Sequence, residues 1–161
     1  MVERCGARHV IGDLLSRVRE GAGRAVLVTG APGMGKTALI RYAQELAEEC
    51  GAVVLTAAAS AAERQLPLGV VSQLFATAPF PPGQAVALAE GSAPVTAADS
   101  LYRHLALLAQ RAPVVLTVDD AHDMDAASLL CLQHLMRRVG TLRVLIVLGE
   151  RAGGGGQGGS A

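Results

Sequence analysis

The chain has a single lysine, Lys36, beside thirteen arginines, no tryptophan, and only two tyrosines and two phenylalanines in 161 residues. With aromatics so scarce, packing must rest on Leu, Val and Ala in regular elements. Half of the residues are hydrophobic, enough for one domain with a real core. No run approaches the roughly 18 to 20 apolar residues that span a bilayer, and the N-terminus lacks the apolar segment of a secretory leader. No membrane contact is expected. The three cysteines, Cys5, Cys50 and Cys131, are odd in number and widely spaced, which fits reduced thiols in a cytoplasmic protein better than a disulfide framework. Cys50 and Cys131 fall in helical patterns and read as core. Formal net charge is zero with the charges interspersed. The basic stripe that neutralises a phosphate backbone is missing, so no direct nucleic-acid contact by this chain is expected.

What is there begins with the place of that one lysine. "VTGAPGMGKT", Val28 to Thr37, has the pattern G-x-x-x-x-G-K-[ST], with Gly30, Gly35, Lys36 and Thr37 at the fixed positions. Glycines let successive backbone N–H groups turn inward on a phosphate, the lysine reaches the β- and γ-phosphates, and the threonine hydroxyl ligates Mg²⁺. The expected phosphate contacts are Gly30, Ala31, Pro32, Gly33, Met34, Gly35, Lys36, Thr37 and Ala38. Lysine suits this place because it is a slim point charge where arginine is broad and planar. The flanks agree: Ala25 to Thr29 is a short β-branched run that reads as a buried strand. After the loop, Leu39, Ala43, Leu46 and Cys50 recur as a helical stripe ended by Gly51.

Further along, Val2 to Arg19 reads as a lead-in and a helix with Val10, Leu14, Leu15 and Val18 on one face. Ala52 to Thr56 reads as a second strand, Ala57 to Ala62 as a small-residue segment, and Pro67 to Ala76 as a short helix. Residues 79–97 carry four prolines and two glycines and read mostly as loop. Ser100 to Ala112 reads as a helix with Leu101, Leu105 and Leu108 aligned, ended by Pro113. Val114 to Val118 is a continuous apolar run typical of a parallel strand covered on both faces. Asp125 can cap a helix with Leu129, Leu132, Met136 and Val139 as its stripe, closed by Gly140. Leu142 to Leu148 reads as a fourth strand. The alternation predicts an α/β fold, a parallel sheet with helices on both faces, over residues 1–151. Residues 152–161 form a Gly-rich tail expected to be flexible.

In such sheets ligands bind beyond the carboxyl ends of the strands. The third strand runs into Asp119-Asp120. Asp119 would bind Mg²⁺ opposite the Thr37 hydroxyl, and Asp120 would orient or deprotonate the water that attacks the γ-phosphate. Read without the loop, the two acids would equally suit a turn or helix cap. Asp123 and Asp125 read as solvated or capping, and His122 as a polar neighbour of the nucleotide rather than a metal ligand. The fourth strand delivers Arg151 to the same edge, where it would sense the γ-phosphate or stand as an ordinary strand-end arginine. The proposed catalytic set is Asp120, Lys36 and Arg151, with Thr37 and Asp119 on the metal.

Two longer stretches are more specific. "ERQLPLGVVSQLF", Glu63 to Phe75, and "VDDAHDMDAASLLCLQHLMRR" from Val118 resemble segments of the large ATP-binding regulators of the LuxR family, signal-transduction P-loop ATPases related to AAA+ proteins. The resemblance runs from Val2 to about Arg151. It implies ATP or ADP with Mg²⁺, slow hydrolysis, and nucleotide-controlled self-association of a transcription activator whose DNA-binding part lies outside this chain. Val2-Glu3-Arg4-Cys5 stands where such proteins have V-G-R-E near the adenine, and Asp123 stands in place of a tryptophan. The related fold has strand order 5-1-4-3-2 and a helical lid. Four strands are legible here, so the resemblance implies a truncated domain with its first strand exposed at an edge, weak in nucleotide binding and poor in hydrolysis. The alternatives are a small P-loop enzyme, such as a kinase or a motor ATPase subunit, and an interaction module that keeps the fold. A kinase should show an acceptor site and a basic lid, and neither is visible. Intact Lys36, Thr37, Asp119 and Asp120 argue against a decayed module.

Overall fold

A computed structural model describes residues 2–30, 35–77 and 94–151. Its elements in chain order are α1 (Val2–Arg19), β1 (Arg24–Gly30), α2 (Lys36–Glu49), β2 (Val53–Ala58), α3 (Gly69–Thr77), α4 (Pro94–Arg111), β3 (Val114–Asp119), α5 (Ala126–Met136) and β4 (Val144–Arg151). The four strands form one parallel sheet in the order β1-β4-β3-β2. The expected α/β fold is therefore present, and β1 is an edge strand among the described residues.

Two-residue periodicity divides the central strands between two cores. Val114, Leu116 and Val118 of β3, with Val144, Ile146 and Leu148 of β4, face α3, α4 and α5. Val115, Leu145 and Val147 face α1 and α2. Every residue of β3 up to Val118 is buried, which is why the run reads as unbroken hydrophobicity and not as alternation. Thr117 is the one polar member, and the Gln44 amide on α2 donates to its hydroxyl at 2.7 Å. A buried hydroxyl without that partner would cost about 1–3 kcal/mol.

The two sheet edges are treated differently. On β2 the outer backbone is satisfied by side chains of α3. The Gln73 amide both accepts from Ala58 N–H at 2.9 Å and donates to its carbonyl at 3.0 Å. The Thr77 hydroxyl accepts from Thr56 N–H at 3.1 Å. Residues one helical turn apart thus take the place of a neighbouring strand. Among the described residues β1 has no such cover, and Leu27 there is 51% exposed.

Several local expectations shift. Pro94 starts α4, so 94–97 is helix and not loop; a proline fits the first turn because its missing N–H has no partner to find there. Residues 79–93 of that expected loop, and the tail at 152–161, lie outside the described residues. On α1 the buried stripe is Ile11, Leu15 and Val18, while Val10 is half-exposed. On α2 it is Ile40, Ala43 and Ala47, one position round from the expected stripe. On α5 Cys131, Leu132 and Leu135 are buried and Leu129 faces outward; the helix ends at Met136 and a separate 3-10 turn spans Val139–Thr141. Ala57 and Ala58 extend β2. No described helix is long and apolar enough to cross a membrane.

Candidate functional site

The carboxyl ends of β1, β3 and β4 meet at the N-terminus of α2, and that is where the predicted residues collect. Gly35 caps α2 in the left-handed conformation (φ 83°, ψ 16°), open to glycine at little cost. Its carbonyl accepts the Leu39 N–H at 2.9 Å. Lys36 and Thr37 are thereby the first two helical residues. Of the remaining expected phosphate contacts, Gly30 ends β1 and Ala38 lies in the first turn of α2, whereas Ala31, Pro32, Gly33 and Met34 lie outside the described residues.

Lys36 Nζ donates to Asp120 Oδ1 at 3.0 Å and stands 3.4 Å from Asp119 Oδ1. The Thr37 hydroxyl donates to Asp119 Oδ2 at 3.0 Å. Side chains more than eighty positions apart in sequence therefore close on one point. Burial alone would lower the Lys36 pKa, but the Asp120 hydrogen bond and the fields of both carboxylates outweigh it and hold it above the ordinary lysine value. Asp120 is itself left-handed (φ 53°), a conformation that aspartate tolerates better than most residues. Its N–H turns back to Asp119 Oδ1 at 2.9 Å, so the chain bends sharply as it leaves β3 and both carboxylates face α2.

Arg151 reaches the same edge: it ends β4 in register with Gly30, the first glycine of the loop. Its side chain is exposed, and its N–H donates to His122 Nδ1 at 3.2 Å. His122 thus braces β4 against the segment after β3. Its Nε2 is enclosed, makes no hydrogen bond among the described residues, and stands 3.5 Å from Asp123 Oδ2.

Asp123 and Asp125, expected to be solvated or capping, both have partners. Asp123 forms an ion pair with Arg64. Asp125 is 3% exposed and caps α5 by accepting Ser128 N–H at 2.8 Å. It also accepts Leu68 N–H at 2.7 Å, at the foot of α3. The expected cap is there, with a second function as a brace. Cys131 is buried, and burial, with the Asp125 carboxylate adding to it, pushes its thiol up to about 12. It belongs to the core as expected; Cys50 is only half-buried.

One site residue, Gly149, is missed by the sequence reading. A side chain on Gly149 would put its Cβ 2.4 Å from Ile40 Cδ1, 3.2 Å from Asp119 Oδ1 and 3.5 Å from Lys36 Cδ. A side chain there would clash with Ile40 and crowd Asp119, so the bare position lets Asp119 lie over β4. A lone glycine inside an apolar strand reads as a bulge or a close approach, and here it is the close approach. The residues present fit a nucleotide phosphate with a divalent cation: a lysine among carboxylates, a hydroxyl beside a carboxylate, and a helix N-terminus facing the same space.

Comparison with known proteins agrees with this geometry. RuvB-like 2 of Caenorhabditis elegans is 45% identical over 60 residues, which is 35% of this chain and 13% of that protein. A structure of Drosophila ORC bound to DNA is 27% identical with a TM-score of 0.57, over 89% of this chain and 36% of that one. Cdc6p from Pyrobaculum aerophilum is 19% identical with a TM-score of 0.60, over 91% of this chain and 38% of that one, a likeness of fold. The chain thus spans little more than a third of these solved relatives, and less of the first. The AAA ATPase domain model matches residues 3–147, nearly the whole chain, and the protein belongs to the AAA ATPase domain family.

Proposed function

We propose that this chain is the nucleotide switch of a transcriptional regulator: it binds ATP or ADP with Mg²⁺, hydrolyses ATP slowly, and self-associates in the ATP state. The observation that carries the nucleotide reading is the convergence of Lys36, Thr37, Asp119 and Asp120 on one point at the N-terminus of α2. The regulator reading is supported by the stretches Glu63 to Phe75 and Val118 to Arg138, which resemble the LuxR-family ATPases. Residues 1–151 are the ATPase domain in this reading and 152–161 a flexible tail, with DNA binding supplied outside the chain.

The loop residues Gly30 to Ala38 hold the phosphates, with Lys36 supplying positive charge to the terminal ones. Thr37 and Asp119 would hold the cation, which would neutralise charge on the phosphates. Asp120 orients the attacking water and takes its proton. Lys36 donates to Asp120; a phosphate that took over that donor would leave the carboxylate free for water. Arg151, beside Gly30, approaches the γ-phosphate and distinguishes ATP from ADP. Any difference in affinity between the two conformations of the domain would then shift it between resting and assembled forms.

Titration calorimetry with Mg-ATP, Mg-ADP and Mg-GTP against the wild type and Lys36→Ala tests this. Adenine-selective binding lost in Lys36→Ala is the expected result. A folded wild type that binds none of the three, or a variant that binds as well, overturns the nucleotide reading. Sedimentation in ATP and in ADP tests the switch: equal mass in both would exclude ATP-driven assembly by this chain.

A further inference from the structure

A cavity of about 450 Å³ opens between α2 and α3 over the carboxyl ends of β2 and β3. That is within the range of small-molecule sites, about 300–1,000 Å³. Thr37 and Asp119 form its border with the phosphate site, and its remaining walls run away from that site toward the β2 edge. Ile40, Ala57 and Ala76 give it an apolar lining, and the two alanines leave the space open.

Its polar groups divide into those already spent and those still available. The Gln73 amide and the Thr77 hydroxyl are consumed by the β2 backbone. Gln44 donates its N–H to Thr117, which leaves its Oε1 as an acceptor. Arg41, three residues earlier on the same face of α2, has no ion-pair or hydrogen-bond partner among the described residues, and neither has the Thr56 hydroxyl. One cation, one amide acceptor and one hydroxyl therefore border an apolar surface.

We propose that this cavity is a second ligand site, for a small hydroxy- or amino-carboxylate. The carboxylate pairs with Arg41, whose planar fork fits it in two places. The hydroxyl or ammonium donates to Gln44 Oε1, and the carbon body lies on Ile40, Ala57 and Ala76. Because Thr37 and Asp119 are shared with the phosphate site, occupancy of either site alters the affinity of the other, and by the same factor in both directions. The site itself stands without the nucleotide reading; only this coupling rests on it.

The test uses the whole chain, which at 16.5 kDa suits two-dimensional amide NMR. L-Lactate and L-serine are titrated at millimolar concentration, with lactamide and serinamide as counterparts that lack the carboxylate. At least one acid should shift the amides of Thr56, Gln73 and Ala76, and its amide should not. Affinity should fall about tenfold or more in Arg41→Ala and be lost in Ala76→Phe. Both positions are exposed, so both variants should fold. Lys36→Ala should leave acid binding intact. No shift with any acid overturns the proposal. So does binding that survives both cavity variants, or binding lost in Lys36→Ala, which would put the anion in the phosphate loop. Mg-ADP titrated into the same samples separates the two sites: acid binding without nucleotide binding sinks the function proposed above and leaves this one, and the converse does the reverse.

Discussion

Removing the Asp125 carboxylate should cost this domain about 3 kcal/mol. The side chain is 3% exposed and accepts three backbone N–H groups, from Leu68 at 2.7 Å, Ser128 at 2.8 Å and Val70 at 3.4 Å. In Asp125→Ala the cap of α5 disappears, worth about 1 kcal/mol. The Leu68 N–H is left under α3 with no acceptor, an unpaired buried donor costing about 1–3 kcal/mol. The longer Val70 contact adds little. Leu68 is also left-handed (φ 59°), costly for a branched side chain and held here by its bond to Asp125. Urea unfolding measures the sum. With a slope of about 2 kcal/mol per molar for a chain this size, the midpoint should fall by about 1.5 M. Asp125→Asn keeps one acceptor oxygen and should lose about half as much. A loss below about 1 kcal/mol in Asp125→Ala would mean that Leu68 and Ser128 find water instead, and that the carboxylate does not brace α3 against α5.

Gly149→Val should destabilise by about 1–3 kcal/mol through overpacking against Ile40 and weaken Mg-ATP more than stability alone explains, because Asp119 must shift; a variant that titrates like the wild type would refute the close-approach argument. The Lys36 pKa is held above its ordinary value, so the stability its carboxylate partners provide is complete below about pH 10 and fades as the pH rises through the folded value. The stability gap between wild type and Lys36→Met should therefore stay level from about pH 7 to about pH 10 and then narrow, and a gap already fading by about pH 9 would contradict the geometry. Cys131, buried and pushed up to about 12, should escape iodoacetamide at about pH 8 while Cys50 reacts, as read by peptide mapping; labelling of Cys131 ahead of unfolding would show that the α5 core opens.

Which parts of this structure were legible depends on whether the deciding force was local. The strands follow from β-branched runs and their parallel arrangement from the helices that alternate with them, and Val114 to Val118 announces a doubly covered strand because both of its faces must be apolar. Lys36, Thr37, Asp119 and Asp120 could be named together because a loop pattern and an acid-terminated strand each have their own chemistry, and the sheet then closes them to 3.0–3.4 Å. The helix stripes came out one residue off on α1 and α2. Apolar period fixes that a helix has a buried face, but the crossing angle of the helix on the sheet chooses which of two adjacent stripes is centred. The other misses are all tertiary. Gly149 is bare because of Ile40 and Asp119 on other elements. The left-handed residue before α3 is Leu68 and not the glycine beside it, since Asp125, fifty-seven positions later, takes the Leu68 N–H. Gln73 and Thr77 look like ordinary helix-surface residues until the backbone of β2 lies against them. These residues share a cause: each answers an unsatisfied group or a close contact that exists only once the sheet is assembled. The same holds for the cavity beside α2, whose alanines become informative only when Arg41 and Gln44 line the same space.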